Sequence, residues 1–193
     1  MPWLEVETKI NVYNPNAMRK KIKKIARFVK KEKREDDYFA IRIKGYPKKA
    51  FRIRKKPDEF EINFKKWWKK YWSKDIVVKR EFEFKLKGKE EVEDMLELFR
   101  DVGFRQWMKK RKTSESYRYK KDKRVIIELN KIEHLGWYVE IEYLCQPHEM
   151  EIAKKKIRKT LKLLEVNPKH IDNTGYTKML WDKGIKDKRY FLK

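Results

Sequence analysis

A chain of 193 residues is long enough for one domain with a real core, or for two very small ones, and its 40% hydrophobic content is ordinary for a globular protein. Lysine and arginine number 54 against 30 acids, a net charge of +24, and charged residues make up 44% of the chain, well above the usual quarter. Such a surface attracts polyanions, whether nucleic acid, an anionic membrane or a phosphorylated small molecule, and charge alone does not choose among them. The single cysteine, Cys145, excludes an intrachain disulfide and a cysteine metal cluster, and its neighbours Tyr143, Leu144 and Pro147 suggest a core or strand-end position. No apolar run approaches the ~18–20 residues of a membrane span, and the first residues read as a strand rather than a leader, so a cytoplasmic protein is expected. Abundant Lys and Glu with only six Gly also fit the composition of proteins from very hot environments.

Along the chain the recurring signal has a period of two. In Trp3 to Val12, the apolar Leu4, Val6, Ile10 and Val12 alternate with Glu5, Glu7, Lys9 and Asn11, which predicts a strand with one dry and one charged face. Asn14-Pro15-Asn16 opens a helix whose apolar stripe is Met18, Ile22, Ile25 and Val29. A strand near Tyr38 to Lys44 follows, with less clear patterning. Phe51 and Ile53 then alternate with Arg52 and Arg54, and Phe60, Ile62 and Phe64 with Glu61, Asn63 and Lys65. The run Lys65 to Lys74 sets Trp67, Trp68, Tyr71 and Trp72 among lysines; stacking on a nucleobase is one use of such a run, and local packing is the favoured one.

Arg80 to Leu86 sets Phe82, Phe84 and Leu86 against Glu81, Glu83 and Lys85. A second helix carries Val92, Met95, Leu96, Phe99 and Val102, ending near Gly103, and a strand covers Gln106 to Lys112. Two further strands set Val125, Ile127 and Leu129 against Glu128 and Asn130, and Val139, Ile141 and Tyr143 against Glu140 and Glu142. A third helix carries Met150, Ala153, Ile157, Leu161 and Leu164 and stops before Pro168; a short fourth spans Tyr176 to Trp181. About eight strands and three main helices, with no repeat or linker, predict one α+β domain over 1–193 with a mostly antiparallel sheet. Helices covering the dry faces of a closed sheet would leave the charged faces lining a hydrated interior. An open sheet whose charged face meets solvent, laced by Glu–Lys pairs, satisfies the pattern as well, and the pattern by itself leans that way.

Short blocks of the sequence tip this balance. Glu5-Val6-Glu7-Thr8-Lys9 has the form ExExK, and Asp36-Asp37-Tyr38-Phe39 the form DxYF. Ala50-Phe51-Arg52-Ile53-Arg54 is close to ALRIR, Phe64-Lys65 to part of TYKG, and Lys79, Glu81 and Glu83 to RxExE. Lys109-Lys110-Arg111-Lys112 is a basic strand whose register is open. Ile127-Glu128-Leu129-Asn130 through Leu135-Gly136-Trp137-Tyr138-Val139-Glu140-Ile141-Glu142 follows LDxxxxLGxFxEIE, and Gly175-Tyr176 through Leu180 approaches SYxxLL. In these blocks and their order, over residues 3–181, the chain resembles the CYTH, or triphosphate tunnel, superfamily, which includes class IV adenylyl cyclases, thiamine triphosphatases and inorganic tripolyphosphatases.

The resemblance implies a closed or nearly closed antiparallel β-barrel of about eight strands with helices packed outside. It implies a triphosphate substrate, tripolyphosphate or ATP, gripped by Lys9, Arg52, Arg54 and Lys65, with Lys79, Lys109 and Arg111 as further phosphate ligands. Mg²⁺ or Mn²⁺ would be held by Glu5, Glu7, Glu140 and Glu142, since hard cations prefer carboxylate oxygen. Lys9, Glu81, Glu83 and Asn130 are the candidate catalytic residues, the two acids as metal or water-positioning groups. Asn130 stands where the family has Asp, which weakens a ligand or base there, and Gly175 replaces a Ser. His134, His148 and His170 lack ligand spacing and read as surface or capping residues. The expected activity is hydrolysis of tripolyphosphate or a nucleoside triphosphate, with cyclisation of ATP to cAMP as the alternative. A non-enzymatic nucleic-acid-binding protein is the distant one. Neither nucleic acid nor membrane is the expected partner, and the chain is expected as a monomer or homodimer.

Overall fold

A computed structural model describes residues 3–41 and 44–186. Eight strands and four α-helices follow in the order β1 (Leu4–Val12), α1 (Pro15–Ile25), β2 (Ala26–Ile41), β3 (Phe51–Lys55), β4 (Phe60–Trp67), β5 (Val77–Leu86), α2 (Lys89–Asp101), β6 (Phe104–Tyr119), β7 (Val125–Ile132), β8 (Gly136–Cys145), α3 (Met150–Leu163) and α4 (Tyr176–Asp182). The strands close into an antiparallel barrel in the order β1-β5-β4-β3-β2-β6-β7-β8, the α+β class expected. The strand expected to reach Lys44 ends at Ile41, and residues 42 and 43 lie outside the described residues. No described helix is long and apolar enough to cross a membrane.

Two compact units make up the chain: Met1–Lys33 with Lys66–Glu81 and Lys112–Asn173, and Arg34–Lys65 with Phe82–Arg111 and Thr174–Lys193. In the first, the dry faces of β1, β7 and β8 meet α1 and α3. Leu4, Val6, Ile10, Ile127, Leu129, Val139, Ile141 and Tyr143 pack with Ile22 of α1 and with Ala153 and Ile157 of α3, each with at most 1% of its surface exposed. At about 1.5–3 kcal/mol per buried aliphatic side chain, this cluster dominates the unit's stability. Trp68, Tyr71 and Trp72 pack against the same core, and the Trp72 indole donates to the Val78 carbonyl at 3.1 Å. The aromatic run is therefore packing, as favoured from the sequence. Cys145, the last residue of β8, is fully buried, and burial pushes its thiol up to about 11.

Helix α1 starts as its capping signals predict, with Asn14 Oδ1 accepting from the Ala17 N–H at 3.0 Å and Pro15 in the first turn. It stops four residues earlier than the apolar stripe suggests. The Lys120 N–H donates to the Ile25 carbonyl at 3.0 Å and its ammonium to the Lys24 carbonyl at 2.9 Å, so outside donors take up its last carbonyls. The chain turns extended at Ala26, and Val29 is an exposed residue of β2.

In the second unit, Phe39, Phe51, Ile53 and Ile62 form the buried cluster beneath Met95, Leu96 and Phe99 of α2. An apolar cavity of about 1030 Å³ lies among Phe51, Ile62, Phe64, Phe84, Met95 and Phe99. Its lining is mainly apolar, with Lys44, Lys48, Lys49 and Glu91 also on it, whereas the opposite faces of the strands carry buried acids and bases together. These faces are buried: Glu5, Glu7 and Lys9 in the first unit and Asp36, Arg54 and Glu61 in the second each have less than a tenth of their surface exposed. The open-sheet reading, with charged faces in bulk water, does not hold.

Candidate active site

In the first unit the strand period places Glu5, Glu7 and Lys9 of β1 on the face away from the apolar core. Pairing with β8 sets Glu7 opposite Glu142 and Lys9 opposite Glu140, and pairing of β7 with β8 sets Glu128 opposite Glu140. Carboxylate oxygens of Glu5, Glu7 and Glu142 lie within 4.8 Å of one another, as do those of Glu128, Glu140 and Glu142. Three buried lysines join them. Lys79 pairs with Glu7, and Lys112 with Glu128 at 3.0 Å and Glu140 at 3.7 Å. Burial lowers the Lys9 ammonium pKa in spite of Glu140 and Glu7 nearby. The Glu142 carboxyl is pushed well above the usual carboxylate range, first by desolvation and then by Glu5, Glu128, Glu140 and Glu7.

Asn130 is fully buried in this cluster. Its Oδ1 accepts from Ser114 Oγ at 2.6 Å and its Nδ2 donates to Glu140 Oε2 at 2.7 Å. The amide thus presents a donor where a carboxylate would present another negative charge. The β7–β8 turn just beyond it explains the glycine of its motif: Gly136 has φ +100°, a conformation that a side chain would strain.

In the second unit Asp36 is wholly buried among cations. Arg54 grips it through Nε at 2.7 Å and Nη2 at 3.1 Å, Lys110 Nζ lies at 2.9 Å and Arg52 Nη1 at 3.7 Å. Against strong desolvation, Lys110, Arg52 and Arg54 hold its carboxyl far below the usual range. Arg52 also donates to Glu61 at 2.8 Å, and Lys110 to the Tyr38 hydroxyl at 2.9 Å. Lys65 is half-buried on β4, two residues beyond Asn63 and so on the same face as Glu61.

Of the residues singled out in the sequence, Glu5, Glu7, Lys9, Lys79, Asn130, Glu140 and Glu142 meet in the first unit's cluster, and Arg52 and Arg54 in the second's. Glu81 is half-buried, and Glu83 is exposed to solvent. Lys109 and Arg111 are well exposed and both bind Glu35 at 2.6 Å, while Lys110 and Lys112 lie in the buried clusters. The basic strand is therefore shifted by one residue from the expected register, and in a strand that shift exchanges the faces. Glu128, missed as a candidate, was signalled by its two-residue spacing from Asn130. Asp36 was visible in the DxYF block, but nothing local marks it as the centre of a cation cluster. At α4, Gly175 occupies the cap position without a side-chain hydrogen bond, so a hydroxyl is absent there.

The model of the CYTH domain family matches residues 4–176. The chain belongs to the CYTH family. A candidate adenylate cyclase of Methanocaldococcus jannaschii is 27% identical over 180 residues, which span 91% of this chain and 98% of that protein. The solved PH1012 protein of Pyrococcus horikoshii is 25% identical with a TM-score of 0.73, covering 90% of this chain and 98% of that one. A candidate adenylyl cyclase from Hippeastrum, described as having a dominant triphosphatase activity, shares the fold at 15% identity and a TM-score of 0.64, over 94% and 96% of the two chains.

The divalent metal that the CYTH family implies fits the donor set. The carboxylates supply hard oxygen ligands within 4.8 Å of one another, and the repulsion raising Glu142 is what a bound dication would relieve. Glu5, Glu7 and Glu142 form one group suited to it, and Glu128, Glu140 and Glu142 the other.

Proposed function

We propose that the protein is a divalent-metal-dependent enzyme that acts on triphosphates, hydrolysing inorganic tripolyphosphate or a nucleoside triphosphate. The observation that carries this reading is the first unit's cluster of five carboxylates interleaved with three buried lysines. A site of fixed carboxylates alone would repel a substrate bearing about four negative charges, and one of lysines alone would offer a metal no ligand. Together they suit a metal–triphosphate complex.

In this reading, Glu5, Glu7, Glu140 and Glu142, joined by Glu128, hold Mg²⁺ or Mn²⁺. When bound, the metal would supply charge neutralisation of the phosphoryl oxygens and activation of the attacking water or, in cyclisation, of the ribose hydroxyl. Lys9, Lys65, Lys79, Arg52 and Arg54 bind phosphate oxygens, and Lys110 and Lys112 take the places first given to Lys109 and Arg111. Lys9, its pKa lowered by burial, is suited to pass a proton from Nζ to a departing phosphate oxygen. Glu81 keeps its water-positioning role as a proposal; the exposure of Glu83 favours a surface role instead. Cyclisation of ATP to cAMP and pyrophosphate is the second reading, favoured by the name of the Methanocaldococcus relative.

Incubation with tripolyphosphate and with ATP, each with Mg²⁺ or Mn²⁺, followed by resolution of phosphate, pyrophosphate and cAMP, tests both readings. Phosphate from tripolyphosphate supports the first and cAMP the second. Binding of any polyanion that weakens steeply with salt, without metal-dependent turnover, would sink both and leave a nucleic-acid-type binder.

The division of roles has its own test in calorimetry with tripolyphosphate in chelator. Lys110→Met should weaken metal-free binding by about tenfold or more, the worth of a charge-assisted hydrogen bond of about 1.5–3 kcal/mol. Lys109→Met, at an exposed ion pair, should stay within about threefold of wild type. Equal effects would mean that burial does not mark the phosphate ligands.

A further inference from the structure

Helix and sheet pack differently in the two units. In the first, Ala153 and Ile157 of α3 and Val139 and Ile141 of β8 have no exposed surface. In the second, Val92 is the buried residue of α2. Phe64, Leu86, Met95, Phe99 and Phe104 line the cavity of about 1030 Å³ and are only half-buried, and Phe84, also on its lining, is 62% exposed. A packed interior holds few voids larger than a water molecule, whereas pockets for small molecules run to about 300–1,000 Å³ with mostly apolar walls.

The cavity also carries unpaired positive charge. Lys44, Lys48 and Lys49 lie on its lining, are exposed, and form no ion pair or hydrogen bond among the described residues. Elsewhere in the unit, Lys56, Lys85 and Lys109 are each paired with an acid. Glu91 is the acid on the lining, and its Oε2 accepts from the Gly88 N–H at 3.4 Å, at the start of α2. The segment that bears the lysines is anchored beside them. The Tyr46 hydroxyl lies 2.9 Å from Thr177 Oγ1, and its ring meets Trp107 and Trp181 edge-on at 5.7 and 5.8 Å.

We propose that this cavity binds a long-chain aliphatic anion, of which a free fatty acid is the simplest. The chain would lie against Phe64, Phe84, Leu86, Met95 and Phe99, and the anionic head among Lys44, Lys48 and Lys49. Apolar walls with three unpaired ammoniums match an aliphatic tail with a charged end, and a hollow suits one molecule better than the plane of a bilayer. The lining residues Phe51 and Ile62 alternate with Arg52 and Glu61 along β3 and β4, so the site lies on the reverse face from the buried cation cluster. The inference does not rest on the triphosphate reading.

Displacement of a fluorescent fatty acid from the whole protein by palmitate and by octanoate, both below their micelle concentrations, tests it. Palmitate should bind at one per chain. Each buried methylene adds about fourfold to affinity, so palmitate should bind about 100-fold or more tighter than octanoate. Replacing all three lysines, by Lys44→Met, Lys48→Met and Lys49→Met together, should weaken palmitate by about tenfold or more. Lys85→Met, at an ion pair outside the cavity, should stay within about threefold of wild type. Met95→Trp, which fills the hollow, should also weaken palmitate by about tenfold or more. If that variant does not fold, the lysine variant and the chain-length ratio still decide. No palmitate binding, equal affinity for the two acids, or an unchanged affinity in the lysine variant would overturn the proposal. Binding to phosphatidylglycerol vesicles without binding of free palmitate would overturn it in favour of a membrane contact. Sedimentation as a dimer that Phe84→Asp disperses, again without palmitate binding, would overturn it in favour of an interface between copies.

Discussion

Glu142→Gln should make the metal-free protein more stable above neutral pH and cost turnover about 100-fold or more. The Glu142 carboxyl has its pKa raised, first by desolvation and then by Glu5, Glu128, Glu140 and Glu7. Its folded pKa therefore lies above the unfolded value of about 4.3. A carboxyl raised in this way contributes its full stability below about pH 4 and loses it as pH rises through the folded pKa, because the native state must then hold a repelled charge. Glutamine removes that charge. In chelator, the variant and wild type should melt close together near pH 4, and the variant should melt higher as pH rises towards 8.

With Mn²⁺ added the order should reverse. At a hundredfold excess over its dissociation constant a ligand adds about 2.7 kcal/mol, roughly 5–11 °C in a domain of this size. Wild type should gain that shift and the variant little of it, since a neutral amide is a poor ligand for a hard cation. Melting curves with and without chelator across this pH range check both parts. An unchanged Mn²⁺ shift in the variant would remove Glu142 from the metal site.

Asp36→Asn should cost about 3–5 kcal/mol, the price of breaking a buried pair by removing one partner. In a domain of this size that corresponds to a drop of roughly 6–20 °C in melting temperature. The wholly buried Asp36 carboxylate compensates Arg54, Lys110 and Arg52 at once, at 2.7, 2.9 and 3.7 Å. An amide keeps the shape but leaves these cations facing one another in a poorly solvated place. The pH dependence has the opposite sign to that of Glu142. Because the folded pKa is depressed, the stability from Asp36 is present above the unfolded value of about 3.9 and is lost as pH falls below it. The gap between wild type and variant should therefore be full at pH 7 and shrink below about pH 4. Asp37→Asn is the control. Asp37 accepts from Gln106 at 2.6 Å on the exposed side of the same strand, and its loss should stay within about 1 kcal/mol. Equal losses at the two positions would mean that the buried cluster is not what holds this unit together.

The same contrast between neighbours separates what the sequence determined from what it could not. The alternation along β1, β7 and β8 was enough to put Glu5, Glu7, Glu140 and Glu142 on one kind of face and the apolar residues on the other, because side-chain direction in a strand is a local property. Asn14 and Pro15 likewise fixed where α1 begins, and the ordered motif blocks pointed to the family. Alternation does not say which face meets water. That was decided when the strands closed in order and the helices covered the dry faces. Strand β2 from Arg27 to Arg34 has no readable period, being charged on both faces; it is a strand because β6 lies beside it. The end of α1 depends on Lys120, nearly a hundred residues away in sequence. Which lysines of 109–112 turn inward, and that Asn130 donates to Glu140, depend on pairing register and on partners from other strands. Charge type and periodicity are written along the chain, whereas burial and partner choice arise only from contacts between distant segments. In this protein those contacts gather rows of alternating acids and bases into buried clusters.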